Sequence, residues 1–303
     1  MRGKPPEIIM QFSVNYSPML AEMVNAGQVQ VDVYKCPAWP DLLKQARASR
    51  PVYVHSPLLV GGGRGVPMDA ERKQGADLEF YADLLAATST PLLNTHLFPA
   101  QEDYPDLPAD SLAAAHARRL IDGAKRDLEP LIARFGAEHV TVENCIPEAG
   151  RPLLLAAPEV LNYLLEETGC GFLLDISHAR LAAGVLGMDE RAYLAALPVQ
   201  KIREVHITGI QRIEGRWVEL LRDAGDAIWN LETMAGRMQD HLPMTESDWV
   251  AYRWVMEQIR ADGWGRPWVV AYEYGGVGGF WDVLCDREVY GRDLPALRAV
   301  IYG

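Results

Sequence analysis

Cysteine is scarce. There are four in 303 residues, Cys36, Cys145, Cys170 and Cys285, and no two share a C-x-x-C spacing. That excludes a thiolate-built zinc or iron–sulfur site, and a chain of this size needs no disulfide scaffold. The thiols are therefore read as reduced and the location as cytoplasmic. Long apolar runs are also missing. None approaches the ~18 residues a membrane span requires, and the stretch near the N-terminus is too short for a signal h-region, with Gln11 and Asn15 inside or beside it. Positive charge is in deficit, 29 Lys and Arg against 41 Asp and Glu for a formal net charge of -12. A nucleic-acid backbone is repelled on average, so no nucleic-acid partner and no membrane partner are expected. With no internal repeat and no low-complexity linker, residues 1–303 read as one soluble domain.

What is present is alternation. Eight short apolar runs, EIIMQFS, QVDVYK, PVYVH, PLLNTH, HVTVEN, GFLLD, IREVHI and PWVVAYE, are mostly separated by longer segments rich in Ala, Leu, Arg and Glu. The runs read as strands and the clearest of the long segments, over 70–87, 111–135, 158–168 and 294–302, as helices. Eight strands with helical crossovers predict an α/β fold closed as a single (β/α)8 TIM barrel. Two connections stand out: the Gly-rich GGGRG at Gly61–Gly65, and an extended loop at about 208–245.

Each of the last six predicted strands ends in a residue able to bind metal: His55, His96, Glu143, Asp175, His206 and Glu273. Parallel barrel strands all point one way, so these six converge on the C-terminal rim, where barrel active sites lie. His178, three after Asp175, and the pair Asp240 and His241 in the long loop join them. Five of the seven histidines fall in this set. Any one of them alone is better read as a hydrogen-bonded strand-end residue, and an Asp three before a His as a helix N-cap. Together they would leave unpaired buried charge unless ions were present.

Imidazole with carboxylate suits iron, zinc or manganese. Four carboxylates and five imidazoles exceed what one ion uses, so two or three metal ions are expected, with Glu143, midway around the arc, as the bridge. Adjacent residues such as Asp240 and His241 need a turn to face one ion. Cys36 and Cys145 read as structural thiols.

The runs VENCIPEAG, LLDISHARLAAG, VHITG, DHLPMTESDW and AYEYGG resemble the multinuclear non-haem iron-dependent oxidative enzymes, the former domain-of-unknown-function family of the methanobactin biosynthesis oxidase. More distantly they resemble xylose-isomerase-like TIM barrels and the apurinic endonucleases. The first resemblance implies iron as the metal and a cysteine-containing peptide or similar small molecule as substrate. The endonuclease pattern implies His55, His96 and Glu143 at one ion; Glu143, Asp175, His206 and Glu273 at a second; and His178, Asp240 and His241 at a third. Two other chemistries remain open. A sugar isomerase or epimerase with one divalent ion would use Glu143 and Glu273 as the catalytic proton-exchanging pair. A metal-dependent phosphodiester hydrolase would use a metal-bound hydroxide.

Overall fold

A computed structural model describes residues 10–303 except 147, 149 and 224–233. Eight parallel strands form the barrel: β1 (Gln11–Asn15), β2 (Val33–Pro37), β3 (Val52–His55), β7 (Leu93–Leu97), β8 (Val140–Glu143), β9 (Gly171–Asp175), β10 (Ile202–Ile207) and β13 (Val269–Tyr272). They are hydrogen-bonded in the order β3, β2, β1, β13, β10, β9, β8, β7. β9 and β10 coincide with the predicted runs GFLLD and IREVHI. β1 lies towards the C-terminal end of its predicted run, whose residues 7–9 fall outside the described set.

The ring closes through a broken strand. Past Ser56 and Pro57, β3 continues as β4 (Leu58–Val60), which pairs with β7 at Leu59↔His96 and Val60↔Leu97. Pro57 has no N–H for a ladder, and the gap is bridged by the Ser56 N–H donating to Asn94 Oδ1 at 2.7 Å.

Side chains alternate across each strand. One face of β8 and β9 gives Val140, Val142, Phe172 and Leu174 to the buried layer under the helices, all 0% exposed. The other face looks into the barrel, where Val33, Tyr53, Val269 and Ala271 form a small separate apolar cluster against Trp268. Two residues further along the same faces stand Lys35, His55 and Glu273, at the C-terminal rim.

The helix expected over 70–87 is shorter at its start. It begins at Leu78, capped by the Asp77 side chain accepting from Phe80 N–H. Before it, β5 (Met68–Asp69) and β6 (Gln74–Gly75) make a hairpin, because Asp69 Oδ1 accepts the N–H groups of Glu71 and Arg72 and fixes a turn. The GGGRG loop is likewise tied down. Buried Asp127 accepts from the N–H groups of Gly61, Gly63 and Gly65 at 2.8–2.9 Å, and Arg64 pairs with Asp103. The long connection carries β11 (Gly209–Arg212) and β12 (Met238–Leu242), an antiparallel pair; its residues 224–233 lie outside the described set. No described helix is long and apolar enough to cross a membrane.

Candidate metal centre

All nine sequence-selected residues meet at the rim. His55 Nε2 and His96 Nε2 are 3.1 Å apart, and Glu143 Oε2 lies 3.8 Å and 3.2 Å from them. Glu143 is the lateral partner of His96 in the β7–β8 register, which aims both side chains the same way. Its other oxygen, Oε1, is 3.3 Å from His178 Nδ1. One buried carboxylate thus faces two imidazole clusters, the geometry expected of a bridge.

A second cluster joins Glu143, Asp175 and His206, with ligand atoms all within 4.8 Å of one another. Asp175 and His206 are lateral partners in the β9–β10 register, and His206 Nδ1 is 3.1 Å from Glu273 Oε1. Asp175 does double duty. Its Oδ1 accepts from His178 N–H at 2.8 Å as N-cap of the helix Ile176–Leu186, while Oδ2 has no hydrogen-bond partner. The capping reading and the ligand reading are both satisfied by one side chain.

The third cluster is His178, Asp240 and His241. His178 Nε2 and His241 Nε2 lie 2.9 Å and 3.5 Å from Asp240 Oδ2. Sequence neighbours converge here because of a bulge: Gly209 pairs with Leu242 and Gln211 with Gln239, so two steps along β11 match three along β12. His241 takes φ +59°, the left-handed region that non-glycine residues rarely occupy. Its N–H is held by Thr208 Oγ1 at 2.9 Å.

The donor set fits metal ions. Glu143 Oε2, Asp175 Oδ2, His206 Nδ1 and Asp240 Oδ2 are buried without a hydrogen-bond partner, although each has a basic or acidic neighbour within 4 Å. They converge rather than align on one another, as atoms sharing a cation do, and orphaned buried polar atoms call for an explanation. The imidazoles are also pre-oriented. His96, His178 and His241 each direct Nδ1 at a main-chain carbonyl, of Leu58, Asn144 and Glu273, at 3.3, 2.8 and 2.9 Å. That leaves Nε2 for a ligand bond in each case.

Electrostatics divides the imidazoles. Burial, reinforced by Lys35 and the neighbouring imidazoles, holds His55 well below the usual range, so it is neutral. His206 is pushed up to about 10: burial opposes this, but the Glu273 charge and the hydrogen bonds to Glu204 and Glu273 together outweigh it. His178 is raised in the same way by Asp175 and Asp240 against burial. Burial lifts Asp175 to about 7. Glu143 and Glu273 are depressed despite burial, chiefly by His96 and His206 respectively. Burial drives the Cys36 thiol up to about 12 and Cys145 well above its usual value, which leaves both as neutral thiols.

Two functional neighbours lie outside the nine. Glu204, 1% exposed, accepts from His206 Nε2 at 2.8 Å and so turns Nδ1 towards the centre. Its signal was the E-x-H spacing in REVHI, which puts both residues on one face of a strand. Lys35 contacts Glu273 Oε1; a lysine inside the apolar run VDVYK was its signal. Above the rim opens a cavity of about 330 Å³, walled by Tyr16, Trp39, Pro57, Val277 and Trp281. Trp281 sets its edge against His241 at 4.5 Å between ring centroids.

Fold and site together define a metal-dependent TIM-barrel enzyme. The chain belongs to the RiPP precursor modification enzyme family MbnB/TglH/ChrH, whose model matches residues 36–248. That span holds all of the nine except Glu273. A UPF0276 protein of Caulobacter vibrioides is 30% identical over 220 residues, 68% of this chain and 72% of the relative. A UPF0276 protein of Bordetella pertussis is 36% identical over 104 residues, 27% of this chain and 35% of its own. Among solved structures, the 3-keto-D-glucoside 4-epimerase YcjR of E. coli matches with TM-score 0.55 at 14% identity, covering 96% of this chain and 99% of that one. A xylose isomerase domain protein from Planctomyces limnophilus matches with TM-score 0.50 at 14% identity, over 98% of each. Such likeness shows the xylose-isomerase-like barrel and nothing about the reaction.

Proposed function

We propose that this enzyme holds two or three iron ions on the nine rim residues and oxidises a cysteine-containing peptide or a similar small substrate at the expense of dioxygen. The observation that carries the reading is Glu143, a buried carboxylate with one oxygen beside His55 and His96 and the other beside His178. A single-ion isomerase would leave those three imidazoles and His241 without work. Iron held there would supply both redox chemistry and Lewis acidity; redox-inert zinc would supply only the second.

The chain's own residues bind and orient. The Glu204 side chain and the main-chain carbonyls of Asn144, Leu58 and Glu273 fix the rings of His206, His178, His96 and His241 by a hydrogen bond to one nitrogen of each. Tyr16, Trp39 and Trp281 give the cavity above the rim an aromatic wall. Among the described residues the only Lys or Arg lining the cavity is Lys35, already paired with Glu273, so these residues give a sugar phosphate no free cation. A peptide side chain suits the mainly apolar walls better. The family's description supports the same substrate class, since its members modify ribosomally made peptide precursors.

The test is metal analysis of protein purified without added metal, followed by oxygen uptake with cysteine-containing peptides after anaerobic iron loading. Iron at two or three per chain with thiol-dependent oxygen uptake is expected. Absence of iron, and no uptake after reconstitution with any candidate peptide, would sink the proposal.

A further inference from the structure

Lys35 sits on β2, a barrel strand that supplies none of the nine candidate ligands. It is 7% exposed, and its Nζ contacts Glu273 Oε1, the oxygen that also lies 3.1 Å from His206 Nδ1. A fixed ammonium therefore shares the atom that an ion held by Asp175, His206 and Glu273 would use. Among the described residues no other Lys or Arg is ion-paired with any of the nine. The charge of Lys35 also reaches His55, but its direct ion pair is with Glu273.

We propose that Lys35 is a built-in counter-cation that makes the Glu273 position the weakest of the ion positions, filled last and emptied first. Any ion entering there either shares Oε1 with the ammonium or displaces it, and like charges at such separation repel more strongly in a buried site than in water. With the position empty, Lys35 and His206 both face Glu273 Oε1, so the buried carboxylate is not stranded. Charge balance points the same way. Glu143, Asp175, Glu204, Asp240 and Glu273 set five carboxyl groups against one ammonium, and two divalent ions neutralise what remains. A third is retained only with further negative charge, such as a substrate thiolate. The Glu273 position is thereby the exchangeable one.

The inference rests on the reading that the rim binds metal, and cobalt(II) titration of the full metal-free chain separates the two. Binding is followed by visible absorption and equilibrium dialysis. In Lys35→Met the weakest equivalent tightens by about tenfold or more while the tighter equivalents keep their affinity. Lys35→Arg keeps the wild-type pattern, and Glu273→Gln removes the weakest equivalent and no other. An unchanged or weakened last equivalent in Lys35→Met, or loss of a tight equivalent in Glu273→Gln, overturns the role of Lys35 while leaving the metal site standing. No cobalt uptake by the wild-type chain overturns both.

Discussion

His241 donates its Nδ1–H to the main-chain carbonyl of Glu273 at 2.9 Å, tying the bulged β12 to the end of β13. The contact exists only because His241 tolerates φ +59°, and because β11 comes close enough for the bulge to fold over it. Gly209 makes that approach possible: a Cβ there would lie 1.9 Å from the Pro243 carbonyl oxygen. Gly209→Ala is expected to cost about 3 kcal/mol in chemical denaturation, as overpacking against backbone does. It should also lower metal uptake at the His178, Asp240 and His241 cluster. Wild-type stability and metal content in this variant would refute the close-packing account.

Glu143 is predicted to be the least replaceable ligand. It faces both the His55 and His96 pair and His178, whereas His241 meets only the third cluster. Metal content per chain should fall further in Glu143→Ala than in His241→Ala. Full occupancy in Glu143→Ala would mean that the carboxylate does not bridge.

The rim was legible in sequence because a parallel barrel has one chemistry-bearing end. Finding His55, His96, Glu143, Asp175, His206 and Glu273 needed only the strand ends, and lateral pairs such as His96↔Glu143 follow from the parallel register. What escaped depends on contacts between remote segments. Asp240 and His241 share a site through a bulge set by Gly209, which lies some 30 positions earlier in the chain and carries no spacing signal. Lys35 and Glu204 were hidden because each acts on a ligand rather than as one. The start of the helix at Leu78 was misplaced because Asp69 captures two N–H groups, a tertiary detail that outweighs the helix-forming residues of the AERK segment.

Glu204 fixes His206 as a carboxylate fixes a metal-bound imidazole, accepting from Nε2 so that Nδ1 faces the centre. Glu204→Gln keeps the shape but can present an amide N–H to the ring and reverse its tautomer. Metal affinity should drop roughly 10–100-fold, the usual effect of losing such a partner. The thermal transition of the metal-free protein should change much less. Equal affinities for variant and wild type in competition with a calibrated chelator would show that His206 needs no such support.

Proton release follows from the charge at His206. Its conjugate acid is stabilised up to about 10 in the metal-free chain, chiefly by the Glu273 charge working against burial, and His178 is raised well above its usual value by Asp175 and Asp240. Both rings are therefore cationic at neutral pH until an ion displaces their protons. Because the folded value of His206 lies above the unfolded one, its contribution to the stability of the metal-free protein is complete below about pH 6.5. That contribution is lost as pH rises towards about 10. Metal binding has the opposite dependence, since each proton removed from solution favours the bound state. Calorimetric titration at pH 7 in buffers of differing ionisation enthalpy should detect protons released per ion bound, and apparent affinity should climb between pH 6 and pH 9. Binding that releases no protons and does not vary across that interval would mean the rings are already neutral, and that the carboxylates do not hold them charged.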